Sequence, residues 1–174
     1  MSRYPDDVYD RYWHTYGPAN EIGITAAPNV NYSNQYELPE VIITSATTPI
    51  LSSMNLNIDY GVDNRGEQVY MYLHFAEILT LEANDTREFD IIWPGNISVL
   101  AYRPKKLQIE TLFTASSNEC KGGSCFVALV RTKRSTLPPL INAYEVFTVM
   151  EFQYSETYSY DGMVPNLMIF FFVR

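Results

Sequence analysis

Apolar and polar residues alternate with a period of two over Val69–Phe75: Val69, Met71, Leu73 and Phe75 fall on one side, and Tyr70, Tyr72 and His74 on the other. That period sends successive side chains to opposite faces of an extended chain and predicts a half-buried strand. Short β-rich runs recur at Val41–Thr44, Glu88–Trp93, Leu107–Phe113, Phe126–Arg131 and Tyr144–Phe152. Turn-forming sequences separate them, at Asp63–Gly66, Pro94–Asn96 and Lys121–Gly123. Long stretches with a helical period are absent; one short helix is predicted over Pro5–Trp13, where Asp6 and Asp7 suit the first turn. Many short strands with regular turns predict an all-β fold, a two-layer antiparallel β-sandwich or jelly roll.

Length and charge narrow the picture. A chain of 174 residues is about one domain. Its net charge is -8 and no Lys/Arg run is longer than the pair Lys105 and Lys106, which argues against nucleic-acid partners and anionic membrane surfaces. Ser2–Asp10 is polar and acidic, so no signal peptide is expected after Met1, and no apolar run reaches the roughly 20 residues of a spanning helix. Direct membrane insertion of this chain is therefore not expected. The apolar run Leu167–Val173 is too short to span a bilayer and reads either as an edge strand or as an addition to the domain. The expected division is a domain over 4–156 and an atypical tail over 157–174, dispensable for stability.

Candidate chemistry is sparse. Asn31, Asn84 and Asn96 each begin an N-glycosylation sequon, which fits a secreted ancestor. Cys120 and Cys125 flank a turn sequence that brings its ends together, so a disulfide is expected between them. No nucleophile elbow, phosphate-binding glycine loop or zinc-protease helix is present, and His14, His74 and the two cysteines lack zinc-ligand spacing, so no catalytic residue, metal or cofactor is assigned. His74 and Glu77 would point to opposite faces of a strand, which disfavours a general-base pair. Asp6, Asp7 and Asp10 read as a solvated first turn rather than a calcium site, since the EF-hand spacing is missing. Glu77, Glu88, Asp90 and Glu145 could serve a glycosidase by residue type alone. Aromatic rings are the better lead: Tyr12, Trp13, Tyr16, Tyr32 and Tyr36 are the candidate ligand contacts, because sugar C–H faces stack on such rings.

Four blocks in fixed order, RYPDDVYDRYW (Arg3–Trp13), YLHFAEI (Tyr72–Ile78), TREFDI (Thr86–Ile91) and STLPPLINAYEVF (Ser135–Phe147), resemble the malectin-like domain in the extracellular part of plant leucine-rich-repeat receptor-like kinases. The resemblance covers about Tyr4–Glu156 and is to the second of two tandem modules, here in truncated form. It implies a galactose-binding-like sandwich without enzymatic activity, on the outer side of the plasma membrane in the parent proteins. It also implies cell-wall carbohydrate or a secreted peptide as ligand, with neighbouring ectodomain parts as further partners. The alternatives are a structural or protein-interaction module with no sugar site and, from another class, a carbohydrate-active hydrolase. Malectin itself places aromatic residues directly after its Phe-Ala-Glu turn; here Ile78 and Leu79 stand there, and neither stacks like a ring nor donates a phenolic hydrogen bond. The resemblance also implies that the Glu77 and Arg87 blocks are scaffold, with polar contacts that fix turns near adjoining strands.

Overall fold

The computed structural model of the chain describes residues 7–16, 20–25, 35–51, 54–62, 66–93, 98–149 and 169–173. In chain order the strands are β1 (Trp13–Tyr16), β2 (Glu21–Thr25), β3 (Ser45–Pro49), β4 (Leu56–Gly61), β5 (Gln68–Phe75), β6 (Phe89–Ile92), β7 (Ser98–Tyr102), β8 (Glu110–Phe113), β9 (Asn118–Glu119), β10 (Ser124–Arg131), β11 (Ala143–Thr148) and β12 (Ile169–Val173). One helix, α1 (Glu40–Ile43), precedes β3. A six-stranded sheet runs β1-β12-β11-β5-β8, with β9 pairing β5 beyond β8; a four-stranded sheet runs β4-β10-β6-β7, and β2 pairs β3. All these pairings are antiparallel except β1 with β12.

The two larger sheets pack face to face. Val69, Met71, Leu73 and Phe75 of β5, with Tyr144 and Val146 of β11, share one buried cluster with Leu56 and Ile58 of β4, Phe89 and Ile91 of β6, and Val127 and Leu129 of β10. The alternation of β5 supplies these contacts: its odd-numbered positions all point inward and are buried. Burying each such side chain stabilises by about 1.5–3 kcal/mol. Cys120 and Cys125 form a disulfide within this cluster, their Cα atoms 4.8 Å apart. The turn between them needs φ of 72° at Gly122 and 87° at Gly123, where a Cβ would be strained.

Two local readings are corrected. Residues Val41–Thr44, expected as a strand, belong to α1 and its C-cap, because Ile42 and Ile43 are buried in succession and Ile43 and Thr44 donate to Pro39 and Glu40 carbonyls. Of the helix expected over Pro5–Trp13, Pro5 and Asp6 lie outside the described residues, and the remainder is instead a turn at Asp7–Tyr9 leading into β1. Its cause is Asp7, whose Oδ1 accepts from the amides of Tyr9 (2.9 Å) and Arg11 (3.4 Å) and so competes with a helical ladder. The Leu107–Phe113 run is a strand from Glu110 onward; of the Tyr144–Phe152 run, residues through Thr148 lie in the strand Ala143–Thr148, and residues 150–152 lie outside the described residues. Within the expected tail, β12 lies between β1 and β11 rather than at an edge, with Phe170 opposite both Trp13 and Glu145. Those backbone groups join two strands that otherwise do not pair.

Candidate functional site

The outer face of the six-stranded sheet is ordered in rows by its register. His74, Thr111 and Ala143 form the innermost row, Tyr72, Phe113 and Glu145 the next, then Tyr70 with Phe147, and finally Gln68 with Glu119. Along β5 exposure rises from buried His74 through half-buried Tyr72 to exposed Tyr70; beside them Glu145 is buried, Phe147 half-buried and Phe113 52% exposed. Tyr72 stacks on Phe113 (centroids 5.5 Å, planes 22° apart) and meets Phe147 and Tyr36 edge-on at 5.2 and 5.6 Å. Such ring pairs are worth about 0.5–1.5 kcal/mol each beyond burial. Tyr36 also lies edge-on to His74 at 5.9 Å.

Beneath the rings is a buried ionic network. Arg11 donates from Nε to Asp7 Oδ2 (2.8 Å), from Nη1 to Glu145 Oε1 (3.1 Å) and from Nη2 to the Glu37 carbonyl (2.8 Å). Trp13 Nε1 donates to the same Asp7 oxygen at 2.6 Å, and the Arg11 guanidinium lies 4.9 Å from the Trp13 ring centroid. His74 Nε2 is 3.0 Å from Glu145 Oε1 and its Nδ1 is 2.8 Å from Thr111 Oγ1. Burial lowers the His74 pKa below its usual value, against the opposing pull of the Glu145 hydrogen bond. The ring is therefore neutral; a carboxylate only accepts, so Nε2 carries the proton and Nδ1 accepts from the Thr111 hydroxyl. This arrangement locks side chains in place. It offers no free base to a substrate.

A second buried group joins the remaining sequence blocks. Arg87 Nε donates to Glu77 Oε2 at 2.6 Å, Arg87 Nη1 donates to the Pro138 carbonyl, and Glu77 Oε1 accepts from the Leu79 amide at 3.1 Å. Ser135 Oγ accepts from the Glu88 amide (2.8 Å) and lies 2.9 Å from the Thr86 carbonyl. Glu88 accepts from Thr132, Arg103 and Arg134, and these hydrogen bonds, Thr132 first, hold its pKa down at about 2. Asn142 completes the frame: its Oδ1 accepts from the Ala76 amide (2.7 Å), and its Nδ2 donates to the carbonyls of Ile43 and Ser45. Glu77 and Arg87 thus pin turns together. The four carboxylates that a glycosidase could use by type are each engaged elsewhere, Asp90 by the Ala101 amide at 2.8 Å.

Of the predicted ligand contacts, Tyr36 lies on the aromatic face and Tyr12 is half-buried, edge-on to His14 at 4.4 Å. Trp13 is a correction: it is fully buried on Asp7 and Arg11 and presents no open ring face. Tyr16 has its backbone in β1, and Tyr32 lies outside the described residues. The solvated carboxylate turn is also corrected, since Asp7 is fully buried; Asp10 is exposed and Asp6 lies outside the described residues. Asn84 is exposed in a turn, whereas Asn31 and Asn96 lie outside the described residues. Ile78 is buried and Leu79 half-buried in the smaller core. Among the described residues no group of three or more His, Cys, Asp and Glu side chains could hold a metal ion, and no helix is long and apolar enough to cross a membrane. Sequence reading passed over Tyr70, Tyr72, Phe113 and Phe147 as site residues. The outward parity of the two tyrosines in Val69–Phe75 was the available signal.

The model of the malectin-like domain family matches residues 1–149. Among curated relatives, the probable LRR receptor-like serine/threonine-protein kinase PAM74 of Arabidopsis thaliana is 45% identical over 156 residues, covering 89% of this chain and 18% of that protein. Its counterpart MEE39, from the same plant, is 43% identical over 158 residues, 90% of this chain and 18% of that protein. The chain thus spans about a fifth of the length of these relatives. Among solved structures, the extracellular domain of ANXUR1 from Arabidopsis thaliana superposes with a TM-score of 0.61 at 15% identity, over 78% of this chain and 40% of that one. The complex of the plant peptide RALF23 with FER and LLG2 gives a TM-score of 0.54 at 19% identity, again over 78% and 40%. These structural likenesses establish the fold.

Proposed function

The chain belongs to the malectin-like domain family, and from that premise we propose that it is a non-enzymatic, extracellular recognition module of a plasma-membrane receptor-like kinase. Its ligand surface in this reading is the outer face of the six-stranded sheet. The carrying observation is the graded aromatic cluster of Tyr70, Tyr72, Phe113 and Phe147 over a partnered ionic floor. The outer face of a two-layer sandwich ordinarily carries polar groups toward water, whereas rigid, half-exposed rings lose little entropy on contact and suit an interface. The ring geometry favours a secreted peptide over a cell-wall glycan: Tyr72 is flanked by Phe113, Phe147 and Tyr36, while sugar stacking needs an open ring face. The FER complex with the peptide RALF23 and LLG2 is a precedent in the same fold. A second reading, contact with neighbouring ectodomain parts, draws on exposed Ile92, Leu100 and Phe126 on the other sheet. The recognition unit is taken as residues 4–156, with the sheet completed by part of the 157–174 extension.

The test is a screen of the secreted, glycosylated chain against a secreted-peptide library and a glycan array, repeated with the Tyr70→Ser/Phe113→Ser double variant. The expected result is a peptide whose affinity falls at least tenfold in the variant while the variant stays folded at the assay temperature. Ligands indifferent to both substitutions would overturn the assignment of the face. Turnover of a wall oligosaccharide that vanishes in Glu77→Gln or Glu145→Gln would overturn the non-enzymatic reading.

A further inference from the structure

We infer that β8 is a docking edge, onto which an extended, basic polypeptide segment adds as a further strand of the six-stranded sheet. The inference rests on the reading that the outer face is the recognition surface, and it states how the partner is held. Strand β8 ends the sheet and, among the described residues, pairs with β5 alone. The Thr114 amide donates to the Met71 carbonyl (3.2 Å), and Tyr72 stands opposite Phe113. In an antiparallel ladder this makes Tyr72–Phe113 and His74–Thr111 the non-hydrogen-bonded pairs and Leu73–Leu112 the bonded one. The backbone N–H and C=O groups of Thr111 and Phe113 therefore point away from β5, along the open side.

Open edges are normally blunted by bulges, charge or proline. Both edges of the four-stranded sheet follow that rule: β7 has Ala101 at φ 54° and a register shift opposite Phe89–Ile91, and β4 turns Asn57 and Asp59 to solvent. On its outer face β8 carries Thr111 and the exposed Phe113, with neither bulge nor charge there; its one charged residue, Glu110 on the inner face, is neutralised by Lys105 at 2.7 Å. Glu119 continues the same line in β9, exposed and on the same face as Phe113. With the net charge of -8, this makes a basic segment the complementary one. Main-chain pairing supplies affinity in such strand addition and alternate side chains supply specificity, here an apolar residue beside Phe113 and Lys or Arg toward Glu119.

The experiment pans a phage-displayed library of random nine-residue peptides on the full chain, counter-selects on Phe113→Lys, and resynthesises the strongest binder with alternate backbone amides N-methylated. Basic, alternately apolar peptides are expected. N-methylation should weaken binding at least tenfold, and hydrogen exchange at the Thr111 and Phe113 amides should slow by a similar factor in the complex. Glu119→Lys, at an exposed site, should weaken binding severalfold without moving Tm. A binder lost in Tyr70→Ser but tolerant of N-methylation overturns strand addition and leaves the recognition face standing. Failure to enrich any binder sensitive to Phe113→Lys overturns strand addition too, and glycan or peptide ligands indifferent to Tyr70→Ser/Phe113→Ser remove the face as well.

Discussion

On the inner face of β5, Val69, Met71, Leu73 and Phe75 are buried among Phe89, Ile91, Val127 and Leu129 of the facing sheet. On its outer face, Tyr70, Tyr72 and His74 pass from exposed to fully buried beside Glu145 and Arg11. The same strand thus presents a dry, uniform surface to one side and a graded one to the other. Hydrophobic burial needs no particular partner, whereas each buried charge of the outer floor needs a named one. Stability is therefore spread evenly over the inner face. On the outer face it is concentrated in the ionic floor and fades toward the rim, where the Tyr70 and Phe113 rings reach solvent.

The sharpest way to break this contrast is to remove the cation of the floor. Arg11→Met leaves Asp7 and Glu145 buried without it, and urea unfolding should show a loss of about 3–5 kcal/mol. Adding Asp7→Asn and Glu145→Gln to that variant should recover part of the loss. Leu73→Ala, on the inner face of the same strand, should cost about 2–5 kcal/mol by cavity formation, with ligand affinity unchanged where the variant is still folded. Replacing Cys120 and Cys125 by serine should cost about 2 kcal/mol in the loop-closure model; mass spectrometry without reduction should find one crosslinked peptide in the unmodified chain.

Acid should separate two groups of charges. The folded-state pKa of His74 is lowered, so the unfolded chain binds its proton first; stability is full above the usual 6.5 and falls as pH drops below it. Glu88 is held at about 2 against 4.5, so its contribution is full above 4.5 and is lost as pH falls toward 2. Stability measured against pH should fall in both windows, with His74→Gln flattening the upper one and Glu88→Gln the lower. A single transition below pH 4 would contradict the outer-floor account.

Much of the sandwich was legible because burial imposes a period: β5, β6 and β10 fall within or beside predicted runs. The run Val41–Thr44 misled because β-branched residues suit strands by propensity, while Pro39 and two successive buried isoleucines make a helical turn. The candidate site was less legible for a different reason. Arg11 and Glu145 are 134 residues apart in sequence, and no local pattern announces that they meet. The four sequence blocks mark these long-range polar frames, Asp7–Arg11–Glu145–His74 and Glu77–Arg87–Pro138, and so identify scaffold more directly than ligand contacts. The rings at the rim stood in plain alternation. Of the rings on that face, Tyr36 alone lies in the N-terminal third, where the predicted contacts fall.

Surface truncation at the rim is the smallest structural perturbation: Phe113→Ser removes the stack on Tyr72 and should cost about 0.5–1.5 kcal/mol. The most direct test of the recognition face is NMR of the aromatic and methyl side chains as a screened ligand is added to the intact chain. The account predicts the largest shifts at Tyr70, Tyr72, Phe113 and Phe147. Shifts confined to Ile92, Leu100 and Phe126 on the opposite sheet would contradict it.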